Sequence, residues 1–142
     1  MHLPQIIIDT SVLVAGLRSR KGYAFQLLSL VGAERVDIHL SVPLVLEYEA
    51  VLYRELPNLL VTKAVVDAVL DYHCAVARHH AIFFLWRPFL PDPSDDMVLE
   101  LAVKAQGRYI VTFNQRHFRN IQQFGLQAVT PGEFLGIIGV VS

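Results

Sequence analysis

The stretch Ile6-Ile7-Ile8-Asp9 indicates the fold class of this chain. Three β-branched residues in a row, without polar alternation, are typical of a strand buried on both faces of a sheet. Such strands belong to parallel sheets that helices cover on both sides. An acid that directly follows a strand of this kind lies at the carboxyl edge of the sheet, where open α/β folds bind ligands.

The rest of the chain alternates between short apolar runs and longer segments with helical periodicity. Strands are predicted at residues 6–8, 36–40, 81–85, 109–112 and 126–129. Helices are predicted at residues 22–33, 43–56, 63 to about 78, 94–106 and in a short segment after Pro131. Strands separated by helices favour an α/β fold with a three-layer αβα arrangement and a mostly parallel central sheet of about five strands. We expect a single domain over residues 1–142.

Composition limits the classes of function. The chain has 142 residues, of which 54% are apolar, so it can bury a sizeable core. This apolar fraction indicates either that the sheet is buried on both faces or that part of the apolar surface meets a partner chain. The net charge of −1 excludes a whole-protein basic field, so contact with nucleic acid would need a local patch. A single cysteine, Cys74, excludes an internal disulfide and fits a reducing compartment. With no signal peptide pattern and no apolar run of about 20 residues, we expect a cytoplasmic protein outside the membrane.

Asp9 has two interpretations. An acid at the end of a doubly buried strand is costly unless a cation or hydrogen-bond donors meet it. A metal site satisfies that need, and so does a carboxylate that accepts bonds from the following loop, where Thr10 and Ser11 are neighbours. The residues alone do not decide between the two.

A second acid lies on the helix that Ser41 is predicted to cap. Glu47 falls between Leu44 and Val51 on an apolar stripe. The helix is apolar nearly all round, however, so Glu49 fits a buried position as well, and either acid is also explained as a partly exposed helix residue.

The segment DPSDD at 92–96 supplies a third acid. Asp92 is predicted to cap the following helix, Pro93 occupies its first position, and Asp95 reaches back in a capping box. Asp96 has no capping role and is therefore the better functional candidate. Asn114 follows the fourth strand, where it is either a donor or acceptor in a site or an ordinary turn residue.

Together these segments resemble the PIN-domain family, specifically the VapC-like ribonucleases that act as toxins in type II toxin–antitoxin modules. The matching segments, in chain order, are IIIDTSVL at 6–13, Ser41 with Glu47-Tyr48, DPSDD at 92–96 ahead of Ala102, IVTFN at 110–114 and VTPGEFL at 129–135. The resemblance implies a PIN-like fold and hydrolysis of RNA phosphodiester bonds that leaves a 5′-phosphate. It also implies a cognate antitoxin and a homodimer as partners.

The resemblance further implies that Asp9, Glu47 and Asp96 are the principal acids and that they hold Mg²⁺ or Mn²⁺. It thereby favours Glu47 over Glu49 as the acid on this helix. Carboxylate oxygens suit these ions better than zinc. Asn114 joins the catalytic set as an orienting donor, although many family members have a fourth acid there. Asp92 or Asp95 is an auxiliary acid that would supply the missing charge for a second metal.

Basic residues that follow the first and fourth strands are predicted to bind RNA phosphates on either side of the acids. They are Arg18, Arg20, Lys21, Arg116, His117 and Arg119. The loop with Trp86 and Phe89 is interpreted as packed or partner-facing, not as a platform for stacking bases. His73, His79 and His80 are interpreted as surface or core-edge residues.

The main alternative is a PIN-fold module that binds RNA or protein without cutting it, and Asn114 is its main support. A receiver-like domain is disfavoured because a single acid follows the first strand. A haloacid-type phosphatase is disfavoured because Ser11 stands where its second acid is needed.

Overall fold

The computed structural model describes residues 2–82 and 89–141. The strands are β1 (Gln5–Ile8), β2 (Asp37–Leu40), β3 (Arg78–His79), β4 (Tyr109–Val111) and β5 (Gln127–Val129). The α-helices are α1 (Thr10–Arg18), α2 (Tyr23–Leu30), α3 (Val42–Glu55), α4 (Lys63–Val76), α5 (Pro93–Lys104) and α6 (Pro131–Ile137). Short 3₁₀ turns cover Leu56–Asn58, Gln115–His117 and Ile121–Phe124.

The five strands form one parallel sheet in the order β3-β2-β1-β4-β5. β1 lies at its centre, and the side chains of Ile6, Ile7 and Ile8 are all buried. Because successive side chains of a strand point to opposite faces, helices must cover both faces of the sheet. The predicted three-layer α/β fold with about five strands is therefore confirmed.

Polar caps begin the helices where the sequence indicates them. The backbone N–H of Leu44 donates to Ser41 Oγ at the start of α3, and that of Val65 donates to Thr62 Oγ1 at the start of α4. Asp92 caps α5 by accepting from the N–H of Ser94. These caps confirm the predicted helix starts.

Helix α1 was not predicted. Its sequence contains β-branched Thr10, Val12 and Val14, which lower helix propensity. Burial of Val12, Leu13 and Leu17 on one face stabilises the helix instead, so tertiary packing outweighs local preference.

The third strand differs from the prediction. β3 comprises Arg78–His79, residues 81 and 82 lie outside any strand, and residues 83–85 are outside the described part of the chain. Both residues of β3 are exposed. This is usual for a short, charged edge strand that discourages pairing with another sheet, and the nearby apolar run therefore misled the prediction.

Tyr48 ties α3 to the central strand. Its side chain is fully buried, and its hydroxyl donates to the carbonyl oxygen of Ile8. This bond holds the helix against the carboxyl end of β1, one residue before Asp9.

In the described part of the chain, no helix combines the length and apolar character that a membrane span requires.

Candidate active site

Asp9 lies at the carboxyl end of β1 and is 7% exposed. Its backbone N–H donates to the carbonyl oxygen of Val111 on β4 over 2.9 Å. Its Oδ2 accepts two hydrogen bonds, from Ser11 Oγ at 2.9 Å and from Thr112 Oγ1 at 2.7 Å. Within residues 2–82 and 89–141, no hydrogen bond reaches Oδ1. The carboxylate is thus held by hydroxyl groups through one oxygen, and the other oxygen remains available to a ligand.

Glu47 comes to the same place from α3. Its Oε2 accepts from Thr10 Oγ1 at 2.5 Å, which joins it to the residue after Asp9. Glu49 is exposed and does not line the cavity that contains Asp9 and Glu47. The geometry therefore separates two acids that helical periodicity could not.

Helix α5 turns Asp95, not Asp96, toward these acids. Asp95 is 9% exposed and lines the cavity with Asp9 and Glu47. Asp96 does not line it, and its Oδ1 accepts from the backbone N–H groups of Phe89 at 3.2 Å and Leu90 at 2.8 Å. The structure therefore places Asp95 beside the other acids, whereas the sequence analysis gave Asp95 a capping role and grouped Asp96 with Asp9 and Glu47.

Burial and neighbouring charge raise the pKa of Asp95 to about 6. Burial is the larger cause, and the negative charges of Asp92, Asp9 and Glu47 add to it. His117 opposes the shift, with its Nδ1 3.3 Å from Asp95 Oδ2. The carboxyls therefore form a concentration of negative charge that the protein compensates only in part.

The cavity formed at this edge of the sheet has a volume of about 560 Å³. Its polar and charged lining comprises Asp9, Thr10, Ser11, Arg18, Glu47, Asp92, Ser94, Asp95, Asn114 and His117. Arg20 and Lys21 are exposed and do not line it, whereas Arg116 and Arg119 line a second, neighbouring cavity.

Asn114 is fixed at the exit of β4, where its backbone N–H donates to Thr112 Oγ1 over 2.9 Å. Thr112 therefore joins Asn114 to Asp9. Sequence reasoning did not single out Thr112, although a hydroxyl residue directly after an apolar strand was the available signal.

The donors in the cavity fit a hard divalent cation in kind, because Asp9, Glu47 and Asp95 offer only carboxylate oxygens. They also fit in charge. The negative charges of Asp9 and Glu47 contribute to the raised pKa of Asp95, and a bound cation would offset this repulsion. Their side chains do not form a ready-made cage: among the described residues, no group of three or more His, Cys, Asp or Glu is arranged to hold a metal ion.

Comparison with known proteins identifies the family and supports the fold. The family model described as the PIN domain matches residues 5–116, a span that contains all the acids of the cavity. A crystal structure of VapC20 of Mycobacterium tuberculosis, a sarcin–ricin loop cleaving toxin, superposes with a TM-score of 0.57 and 16% sequence identity. The match covers 89% of this chain and 99% of that one, and at this identity it supports the fold alone. No curated protein matches the chain.

Proposed function

The chain belongs to the PIN-domain family, and on that premise we propose that it is an endoribonuclease dependent on Mg²⁺ or Mn²⁺. It hydrolyses RNA phosphodiester bonds as the toxin of a type II toxin–antitoxin module. The observation that carries this proposal is the convergence of Asp9, Glu47 and Asp95 on one cavity at the carboxyl edge of the sheet. The similarity in fold to an RNA-cleaving toxin gives independent support.

Asp9, Glu47 and Asp95 would hold the cation, with Asp92 and Asn114 as further oxygen donors at the rim. Asp96 is left out of this set because it does not line the cavity. When bound, the cation would lower the pKa of a coordinated water and stabilise the charge on the leaving oxygen.

The protein's own groups orient the carboxylates. Ser11 and Thr112 fix the rotamer of Asp9 through Oδ2, and no donor within the described residues reaches Oδ1. Thr10 orients Glu47 through Oε2. Because these partners are hydroxyls on short side chains, the carboxylates need little reorganisation when a ligand binds.

Positive charge beside the acids would attract the RNA. Arg18 lines the acidic cavity itself, and Arg116 and Arg119 line its neighbour. Arg20 and Lys21 are exposed just beyond α1. An overall charge of −1 gives no general attraction for a polyanion, so binding depends on these local side chains and should weaken with salt.

The test is cleavage of single-stranded RNA by the purified protein in the presence of Mn²⁺, with Mn²⁺ binding measured separately by calorimetry. We expect cleavage that stops on chelation, and loss of both cleavage and Mn²⁺ binding in Asp9→Asn. RNA that is bound but left intact by the wild-type protein under all metal conditions would favour the non-cutting module that Asn114 suggests.

A toxin of this kind acts in the cytoplasm and has an antitoxin as its partner. Large apolar side chains on the surface, such as Val42 at 70% and Leu46 at 59% exposed, support contact with another chain, including a second copy in a homodimer. Co-expression with a short neighbouring reading frame tests the antitoxin, and light scattering of the isolated protein tests the dimer. An isolated gene and a strictly monomeric protein would argue for a housekeeping nuclease.

A further inference from the structure

A second cavity of about 620 Å³ lies directly beside the acidic one. The two share Asp92, Asp95 and His117 as a common wall. An RNA strand bound in the acidic cavity can therefore extend directly into the second cavity along the protein surface. The size is in the range that binds a compact organic group, about 300–1,000 Å³.

The lining of this cavity also carries positive charge. Arg116 and Arg119 both line it and are both exposed. Neither makes an ion pair with a carboxylate in residues 2–82 and 89–141. Their guanidinium groups are therefore free to take a phosphate, for which their planar, forked geometry is well suited.

An aromatic ring provides the third element. Phe89 lines the cavity, is 38% exposed, and packs edge-to-face against Phe124 with ring centroids 5.2 Å apart. Asp96 holds the turn that carries Phe89, since it accepts from the N–H groups of Phe89 and Leu90. The ring is thus supported both by Phe124 and through its own backbone.

We propose that this second cavity holds one unpaired nucleotide of the RNA, next to the phosphate that is cleaved. Phe89 stacks on the base, Arg116 and Arg119 bind the adjoining phosphate, and Asn120 offers its amide to the base edge. A phosphate alone would need only the arginines, whereas the aromatic ring and the neighbouring apolar residues Leu90 and Pro91 fit a base.

This inference rests on the proposed ribonuclease function, and it reverses the expectation from sequence that Phe89 is no stacking platform. It also gives Asp96 a positioning role, because that residue fixes the turn on which the base stacks. The specificity that follows is for single-stranded RNA, since a paired base cannot enter the cavity.

The test uses a set of short single-stranded RNAs, each with one abasic residue at a different place along the chain. We measure kcat/KM for cleavage, and also binding by fluorescence anisotropy without added metal. For the wild-type protein, we expect the abasic residue to reduce kcat/KM about 10-fold at one position beside the cleaved bond, the effect of losing one stacked base. In Phe89→Ala the same abasic residue should cause no further loss, and Phe89→Trp should restore the wild-type pattern.

Matched controls are Tyr23→Ala, an exposed aromatic that does not line either cavity, and Arg35→Ala, which lies near the opposite end of β1. The Arg116→Ala/Arg119→Ala double variant should weaken binding of every RNA alike and reduce the dependence of binding on salt. The arginine control should change neither.

The two proposals can fail separately. If RNA is cleaved but Phe89→Ala keeps the full abasic penalty, or no position shows a penalty, the nucleotide site is disproved and the nuclease stands. If no RNA is cleaved but anisotropy still shows a position-specific abasic effect that depends on Phe89, the nuclease is disproved and the nucleotide site stands.

Discussion

Thr112 donates its hydroxyl hydrogen to Asp9 Oδ2 over 2.7 Å, although the two residues are 103 positions apart in the chain. The bond joins the ends of the neighbouring strands β1 and β4, and both residues are buried. The same hydroxyl oxygen accepts from the backbone N–H of Asn114. One side chain therefore sets the orientation of two residues of the candidate site.

Thr112→Val removes this hydroxyl at nearly constant shape. We expect a loss of about 1–3 kcal/mol in the free energy of unfolding, because a buried carboxylate oxygen and a backbone N–H each lose a partner. We also expect Mn²⁺ affinity to fall about 10–100-fold, as for other groups that orient a metal ligand. Urea unfolding and calorimetry measure the two effects. Thr112→Ser keeps the hydroxyl and should restore Mn²⁺ affinity; equal losses in both variants would show that the methyl group, not the hydrogen bond, matters.

Asp95 and Asp96 form a matched pair for mutation, since they are adjacent on the first turn of α5. Asp95→Asn should reduce cleavage by about 100-fold or more, because it removes a charge that faces the cavity. Asp96→Asn should reduce cleavage at saturating RNA by less than about tenfold, but it should destabilise the fold by about 1–2 kcal/mol through weaker acceptance of two N–H groups. Steady-state cleavage and thermal unfolding of both variants check this. The opposite ranking in cleavage would return the catalytic role to Asp96.

The fold could be predicted from sequence because its signals are local. An unbroken β-branched strand, polar caps at Ser41 and Thr62 and alternation along the chain each act within a few residues. Helix α1 could not be predicted, because the packing that stabilises Val12 and Leu13 comes from distant parts of the chain.

The candidate site was harder to predict at the level of single acids. Capping rules gave Asp95 a structural role, and helical spacing does not separate it from Asp96, because Val98 at i+3 from Asp95 and Leu99 at i+3 from Asp96 are both buried. The hydrogen bonds that Asp96 accepts from the preceding loop could not be predicted from helical spacing. The bond from the N–H of Phe89 depends on the path of the chain before α5.

Tyr48 offers a test of how α3 is held against the sheet. In Tyr48→Phe the carbonyl oxygen of Ile8 loses its buried hydroxyl donor, so we expect a loss of about 1–2 kcal/mol in the free energy of unfolding. Tyr53→Phe is the matched control, because its hydroxyl contacts Asp67 near the surface, and it should change stability clearly less than Tyr48→Phe does. Urea unfolding compares them. Equal effects would mean that the buried bond adds no more than a surface one.

A hydrogen-bonded chain on β1 and β2 fixes the protonation of His39. Gln5 Nε2 donates to Asp37 Oδ2 at 2.8 Å, so Gln5 Oε1 accepts from His39 Nε2 at 2.6 Å. Neutral His39 then accepts at Nδ1 from His80 Nε2 at 2.8 Å. Burial, with smaller contributions from His80 and Arg78, lowers the pKa of His39 to about 4, against a weaker opposing effect of Asp37.

This pKa makes stability depend on pH with a definite sign. Between about pH 6.5 and pH 4 the unfolded chain binds a proton at His39 that the folded protein does not, so the free energy of unfolding falls as the pH falls. The effect of this one group approaches about 2 kcal/mol at pH 5, at about 1.4 kcal/mol per pH unit. His39→Gln cannot titrate, so its loss of stability between pH 7 and pH 5 in urea unfolding should be smaller than that of the wild-type protein by about this amount. If His39→Gln keeps the wild-type slope, the proton that destabilises the fold binds elsewhere.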